Sequence, residues 1–131
     1  MALPMNLRIG MRGEQLVAQY LREKKYYMLG SGFATKLGET DVIAFDEKKR
    51  ILMFVEVKTR SPGALLPPSE AVDREKQNRL LNNAAAFIKC TDIPYKKIRF
   101  DIAEVILYDF YTADINYIED AFGQDMFADK K

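Results

Sequence analysis

The most apolar stretch of the chain reads Ile51-Leu52-Met53-Phe54-Val55-Glu56-Val57-Lys58. Its middle carries apolar side chains on both faces of an extended segment, which is typical of a strand inside a sheet rather than at its edge. Glu56 and Lys58 follow on one face, because side chains alternate along a strand. The stretch predicts a central strand that ends in a carboxylate and an ammonium. A strand that simply reaches solvent is the alternative interpretation of these two charges.

A second acidic residue stands on the preceding strand. Asp41–Phe45 reads as that strand, and the charged segment Asp46–Arg50 connects it to the central strand as a hairpin. Antiparallel pairing about this connection brings Asp41 opposite the neighbourhood of Glu56. Two carboxylates at such a short distance repel each other unless a cation lies between them. Mg²⁺ is a suitable cation because it needs only one or two protein carboxylates. The hairpin therefore predicts a divalent-metal site with Lys58 beside it.

Two helices and three further strands complete the expected fold. The patterns predict, in chain order, a helix over Gly13–Lys25 with Glu14 in its first turn, a short strand Tyr26–Leu29, a bend or bulge at Gly30–Gly32, the strands Asp41–Phe45 and Ile51–Lys58, a helix from about Ser69 to about Lys89, a strand at Ile98–Ile102 and a short strand at Ile115–Ile118. This order, α-β-β-β-α-β-β, predicts an α/β fold in one domain, with a mixed central sheet flanked by helices. We expect its core over residues 8–122 and a tail over residues 123–131.

Composition limits the chemistry. The 131 residues suit one domain, with 48% hydrophobic and 30% charged residues. No apolar run reaches the roughly 20 residues that cross a bilayer, so we expect no membrane association. Cys90 is the one cysteine and Met1–Gly10 lacks an apolar signal region, which favours the cytoplasm. Histidine is absent, which excludes Ser-His-Asp catalysis and His-ligated zinc. Hydrolysis by this chain would use carboxylates, lysine and a metal.

Charge is distributed unevenly. The net charge is +1, but residues 1–100 hold 18 basic and 11 acidic side chains, whereas residues 101–131 hold 2 and 8. A basic body with an acidic C-terminal part is compatible with a phosphate-binding face, and an ordinary mixed surface is the alternative interpretation. Four basic residues follow the predicted site and are candidates for binding a nucleic-acid backbone: Arg60, Arg74, Lys76 and Arg79.

Taken together, these patterns resemble the bacterial YraN family, a branch of the PD-(D/E)XK nuclease superfamily that is similar to archaeal Holliday junction resolvases. The stretches that carry the resemblance are Gly13-Glu14, Gly38-Glu39-x-Asp41-Val42-Ile43-Ala44, Phe54-Val55-Glu56-Val57-Lys58-x-Arg60, Val72, Lys76-Gln77, Arg79-Leu80 and Arg99-Phe100-Asp101, ending near Ala121-Phe122. The resemblance covers most of the chain and implies a restriction-endonuclease-like fold.

The resemblance also implies roles for individual residues. Asp41 and Glu56 match the metal-binding acids, completed by the carbonyl of Val57, with Mg²⁺ or Mn²⁺ as the ion. Lys58 matches the catalytic lysine. Two further catalytic positions are implied, Glu14 at the start of the first helix and Gln77 on the second. We expect Glu39 to belong to the turn rather than to the metal site. The implied substrate is DNA, branched DNA such as a Holliday junction included, and the implied assembly is a homodimer.

Two positions depart from the family pattern. Gly32 and Ala34 stand where the family usually has an Asn-x-Arg pair. This departure motivates an alternative to the endonuclease, a nucleic-acid-binding module of the same fold with weak or no turnover. The near-neutral charge and the acidic C-terminal part also allow a protein-interaction domain.

Overall fold

The chain forms two helices and five strands in the predicted order, which confirms the predicted fold class. The computed structural model describes residues 3–63 and 72–123. Its elements are α1 (Met5–Glu23), β1 (Tyr27–Thr35), β2 (Gly38–Asp46), β3 (Ile51–Arg60), α2 (Arg74–Cys90), β4 (Lys97–Leu107) and β5 (Ala113–Phe122).

All five strands join one mixed sheet in the order β1-β2-β3-β4-β5. Neighbours pair antiparallel except β3 and β4, which run parallel. Parallel neighbours need a crossover connection, and α2 lies in the chain between these two strands. The position of β3 at the centre of the sheet confirms the prediction made from its two apolar faces, and residues 51–56 are all buried.

Each helix covers one face of the sheet. Leu52 and Phe54 belong to the core under α2, whereas Met53 and Val55 belong to the core under α1. Because successive side chains of β3 enter opposite cores, both helices are anchored to the same strand. Neither helix in residues 3–63 and 72–123 is long and apolar enough to cross a membrane.

Both helices begin at residues other than those predicted. The first begins at Met5, directly after Pro4, so Glu14 lies in the middle of α1 and its predicted first-turn position is wrong. Glycines at 10 and 13 lower the helix propensity of this stretch, but packing of α1 on the sheet outweighs that. The second helix begins at Arg74, because the side chain of Asp73 caps it by accepting from the N–H of Lys76 at 2.8 Å. The predicted start at Ser69 lies outside the described residues.

The outer strands are longer than predicted. β1 continues through the predicted bulge, which appears as a register shift between Met28 and Gly30, and runs to Thr35. β5 spans ten residues. The hydrogen bonds between strands join backbone groups and do not depend on the side chains. Exposed polar residues can therefore extend a strand without leaving an alternating apolar pattern in the sequence. Residues 124–131 of the predicted tail lie outside the described residues.

A buried carboxylate joins β4 to β5. Asp101 is fully buried. It accepts hydrogen bonds from the guanidinium of Arg99, from the hydroxyl of Tyr117 at 2.6 Å and from the N–H of Asp120 at 2.9 Å. A buried carboxylate is tolerated when its oxygens are satisfied in this way. The register of β4 against β5 shifts at this residue. The stretch Arg99-Phe100-Asp101 therefore helps to hold β4 and β5 together.

Candidate active site

The candidate site lies where β2 and β3 separate. Their paired register runs from Asp46 opposite Ile51 to Val42 opposite Val55. Just beyond the last pair, the N–H of Val57 donates to Oδ2 of Asp41 at 2.8 Å. This bond holds the aspartate against the end of β3, beside Glu56. The prediction that the hairpin brings Asp41 into the neighbourhood of Glu56 is therefore confirmed.

Asp41 and Glu56 form a coupled carboxylate pair. Burial and the hydrogen bond shared with Glu56 raise the pKa of Asp41 to about 8. Burial acts to raise the pKa of Glu56 as well, but hydrogen bonds from Asp41 and Lys76 outweigh it and lower that pKa. The pair therefore keeps one proton, on Asp41, and one negative charge, on Glu56, at neutral pH. Two carboxylates held this close favour either a shared proton or a cation.

Two lysines converge on the same oxygen. The Nζ atom of Lys58 lies 3.3 Å from Oε2 of Glu56, and the Nζ atom of Lys76 lies 2.5 Å from it. Burial, together with the nearby ammonium of Lys76, lowers the pKa of Lys58. For Lys76, burial acts in the same direction, but its hydrogen bond to Glu56 outweighs it and raises the pKa. Lys58 thus reaches the pair from β3, and Lys76 reaches it from α2.

Asp41, Glu56 and Lys76 line a cleft of about 250 Å³ between the start of β2 and the start of α2. The helix approaches the strand closely there, since a Cβ atom on Gly38 would lie 3.0 Å from the carbonyl oxygen of Arg79. A glycine at this position therefore permits the close packing. The cleft is lined by Gly38, Glu39, Asp41, Glu56, Lys76, Arg79 and Leu80.

A buried amide fixes α2 against the β1–β2 hairpin. The side chain of Asn83 is fully buried. Its Nδ2 donates to Oγ1 of Thr40 at 2.9 Å and to the carbonyl of Phe33 at 3.1 Å, while its Oδ1 accepts from the hydroxyl of Thr35 at 2.6 Å. Thr40 precedes Asp41 in β2, and Lys76 lies two turns before Asn83 on α2. The amide therefore sets the distance between the acidic and basic sides of the cleft.

Glu14 approaches the pair from α1. Burial, then repulsion by Glu39 and Glu56, raises its pKa, so its carboxylate lies within electrostatic range of the cleft. Residues 3–63 and 72–123 contain no group of three His, Cys, Asp or Glu side chains placed to hold one metal ion. Glu14 is thus not a third ligand in this arrangement. Asp41 and Glu56 still fit Mg²⁺, which takes one or two carboxylates and completes its shell with water and phosphate.

The other predicted site residues make contacts of their own or lie exposed, and only Arg79 among them lines the cleft. The amide of Gln77 donates to the carbonyl of Val72 at 3.0 Å, which ties down the segment before α2, and Gln77 does not line the cleft. Arg60 pairs with Glu104 at 3.5 Å. Arg74 is exposed at the first residue of α2, whereas Arg79 is exposed in the cleft itself. The catalytic and binding roles of these residues stay predictions.

Sequence reasoning missed three features of the site. Lys76 was a candidate for binding a nucleic acid, and its contact with Glu56 was not predicted. Glu39 was assigned to the turn, yet it lines the cleft two residues from Asp41 on the same strand. Asn83 gave no signal beyond its polarity. A polar residue among the apolar positions of an amphipathic helix is the pattern that marks such a buried amide.

Comparison with known proteins places this site inside one family region. The model of the uncharacterised protein family UPF0102 matches residues 13–105, which include all of the cleft. A UPF0102 protein of Alkaliphilus metalliredigens is 41% identical over 118 residues, covering 90% of this chain and 100% of the relative. One from Dictyoglomus thermophilum is 40% identical over 102 residues, covering 78% of this chain and 85% of the relative.

Proposed function

This chain belongs to the uncharacterised protein family UPF0102, and we propose that it is a metal-dependent endonuclease that hydrolyses phosphodiester bonds in DNA. Membership of this YraN-like family is what the residue patterns predicted. The wider relation to PD-(D/E)XK nucleases, and the branched-DNA substrate that it implies, are part of the proposal.

One observation carries the proposal. The carboxylates of Asp41 and Glu56 lie together where two paired strands separate, with the ammonium of Lys58 3.3 Å from Glu56. A structural ion pair needs only one acid and one base. Two coupled acids with a lysine beside them, facing a cleft, form an arrangement suited to a divalent cation and an anionic substrate.

The chain's own residues have distinct tasks in this proposal. Asp41 and Glu56 would hold the cation, and a bound cation would lower the pKa of a water molecule and neutralise charge on a phosphate. Lys58 is held on the rigid central strand, where it orients the attacking water or stabilises the negative charge that develops on the phosphate. Glu14, on the approach from α1, adds negative charge near the same point.

The basic side of the cleft accounts for the choice of a nucleic acid. Lys76 and Arg79 lie one turn apart on α2 and both line the cleft, so a phosphate backbone that reached Asp41 and Glu56 would pass them. We also infer a cytoplasmic homodimer, since two symmetric sites would cut the two strands of a duplex or junction.

The test is a cleavage panel of linear, flapped and four-way-junction DNA with Mg²⁺ or Mn²⁺. We expect metal-dependent cleavage of at least one substrate, and loss of that cleavage in Asp41→Ala and in Lys58→Ala. Cleavage that survives both substitutions would contradict the assigned site. No metal-dependent cleavage of any substrate would overturn the endonuclease.

A second candidate is a nucleic-acid-binding module without turnover. Gly32 and Ala34, in the places of the family's Asn-x-Arg pair, are the observation that favours it. Both lie exposed on β1, and Ala34, which takes the place of the arginine, is paired with Glu39 of the cleft across the β1–β2 ladder. An arginine at position 34 would add a cation to the acidic side of the cleft. Salt-dependent DNA binding with no cleavage in the same panel would select this candidate.

A further inference from the structure

On the basis of the proposed function, we infer that Lys76 is a displaceable counter-cation. It neutralises Glu56 while the cleft lacks a divalent ion, and it transfers to a DNA phosphate when such an ion is bound. Metal binding and DNA binding are then coupled through one side chain of α2.

Two ammonium groups crowd the carboxylate of Glu56. One oxygen, Oε2, receives Lys76 at 2.5 Å and Lys58 at 3.3 Å, and Glu56 itself is only 4% exposed. A divalent cation on the same carboxylate would meet two ammoniums within a few ångströms. Repulsion between like charges is strong in such a buried place, so at least one lysine has to leave when the ion is bound.

Lys76 is freer to leave Glu56 than Lys58 is. Lys58 is the more buried, with 22% of its side chain exposed, and it projects from the central strand beside Glu56. Lys76 has 35% exposed and reaches across the cleft from the first turn of α2. Its flexible four-carbon stem gives its ammonium a route to solvent without backbone movement. Lys76 is therefore the group that moves.

The rim of the cleft offers a second position for the ammonium of Lys76, beside Arg79. Arg79 lies three residues further on α2, on the same side of the helix, and is exposed at the cleft. A released Lys76 joins Arg79 in a short basic row along the rim. Phosphates are the anions that a DNA substrate would bring to this rim, so the released ammonium gains a partner only when DNA is present.

Such an arrangement has a measurable consequence. In the free protein, Lys76 competes with the divalent ion for Glu56 and weakens ion binding. In the presence of the ion, Lys76 strengthens DNA binding. Because coupling between two ligands is reciprocal, removal of this one ammonium should raise metal affinity and reduce the gain in DNA affinity that metal produces.

The experiment measures Mn²⁺ binding by isothermal titration calorimetry for the whole chain, for Lys76→Met and for Lys89→Met. Lys89 lies in the last turn of the same helix, so its substitution removes the same charge outside the cleft. We expect Lys76→Met to bind Mn²⁺ about 5- to 50-fold more tightly, a range within that of coupled sites, and Lys89→Met to match the unsubstituted protein.

DNA binding supplies a second readout. Fluorescence anisotropy with a short duplex is measured in EDTA and in Ca²⁺, an ion chosen to occupy the site. The unsubstituted protein should gain DNA affinity in Ca²⁺, and Lys76→Met should lose most of that gain. Arg79→Met should weaken binding in both buffers alike, because its guanidinium contacts phosphate in either state.

The outcomes separate the inference from the proposed function. Mn²⁺ binding by Lys76→Met that is equal to or weaker than that of the unsubstituted protein overturns the displacement inference and leaves the endonuclease standing. Absence of Mn²⁺ binding in every folded variant overturns both. Lys76→Gln, checked by circular dichroism, repeats the test with a polar side chain if the methionine variant does not fold.

Discussion

The N–H of Val57 donates to the carboxylate of Asp41 at 2.8 Å, and this bond makes the backbone of β3 the support for an acid that belongs to β2. The last paired residues of the two strands are Val42, which follows Asp41, and Val55, which lies two residues before Val57. A side chain thus satisfies a backbone donor at the point where the ladder ends. The same contact places Asp41 beside Glu56, at the cleft that both residues line.

Substitution Asp41→Asn tests this support separately from charge. An asparagine Oδ1 still accepts from Val57, and its Nδ2 can donate to Glu56, so the fold should persist with a Tm within a few degrees at pH 7. The lost negative charge removes one of two metal ligands, and we expect DNA cleavage to fall by about 100-fold or more. Cleavage within a few-fold of the unsubstituted enzyme, with the fold intact, would contradict the role of Asp41.

The raised pKa of Asp41 predicts how stability depends on pH. Its pKa is about 8 in the folded chain, against an ordinary value of 3.8. Between these values the folded state binds more protons than the unfolded state, so the free energy of unfolding falls as pH rises. The slope from this one group is at most about 1.4 kcal/mol per pH unit. Glu56, whose pKa is lowered, acts in the opposite sense and only at pH values below its ordinary value.

Urea unfolding in EDTA between pH 5 and pH 8 measures this slope. Asp41→Asn has no carboxyl to protonate, so its free energy of unfolding should vary less with pH over the same range. Equal slopes for the two proteins would show that Asp41 does not hold the shared proton.

The sequence predicted the parts of the fold that rest on periodicity. Leu52 to Val55 are apolar on both faces, and this placed β3 at the centre of the sheet, while the charged connection at Asp46–Arg50 set the register that brings Asp41 to Glu56. Periodicity did not find the N-terminal turns of α1, because glycines obscure them and tertiary packing stabilises them. Contacts between residues far apart in the sequence, such as that of Lys76 with Glu56, leave no pattern in the local sequence. They depend on where a helix lies over a sheet.

Lys58 should be required for turnover more than for binding. Its ammonium is held beside Glu56 on a rigid strand, so its loss removes charge stabilisation at the reacting phosphate while the rim of α2 remains. We expect Lys58→Met to reduce kcat by about 100- to 1,000-fold and to change duplex affinity by only a few-fold.

Lys48→Met is the matched control for that prediction. Lys48 is exposed in the β2–β3 connection, at the opposite end of these strands from the cleft. The same loss of one charge there should leave kcat unchanged. A large fall in duplex affinity for Lys58→Met, with kcat preserved, would reassign Lys58 to substrate binding.

Asn83 should contribute to stability out of proportion to its size. Its side chain is fully buried and bonds to Thr35, Thr40 and the carbonyl of Phe33. Replacement by alanine leaves those groups without their partner and opens a small cavity. Each orphaned buried group costs about 1–3 kcal/mol, so we expect Asn83→Ala to lower the free energy of unfolding by about 2–4 kcal/mol in urea titrations.

Its neighbour Asn82 is exposed on the same helix. Asn82→Ala should change the free energy of unfolding by no more than about 0.5 kcal/mol. Similar losses for the two variants would mean that helix propensity, rather than the buried bonds, accounts for the effect.

The packing of α1 on β3 predicts opposite effects for two glycines of one helix. A Cβ atom on Gly13 would collide with Oγ1 of Thr59, whereas a Cβ atom on Gly10 would have no atom within 4 Å. Gly10→Ala should therefore stabilise the protein by up to about 1 kcal/mol through helix propensity. Gly13→Ala has the same gain in propensity but must displace Thr59 or lift the helix, and we expect a net loss of about 1–2 kcal/mol.

A double-mutant cycle identifies the cause of that loss. Thr59→Ala removes the hydroxyl that occupies the space, so Gly13→Ala should become neutral or stabilising in the Thr59→Ala background. Thermal and urea unfolding of the four proteins give the coupling free energy, and an equal effect of Gly13→Ala in both backgrounds would rule out the contact as its origin. Glu14 follows Gly13 directly, so a helix lifted at this point also moves that carboxylate away from Glu56. The pKa of Glu14, followed by NMR, should then fall toward its ordinary value in Gly13→Ala and rise again when Thr59→Ala is added.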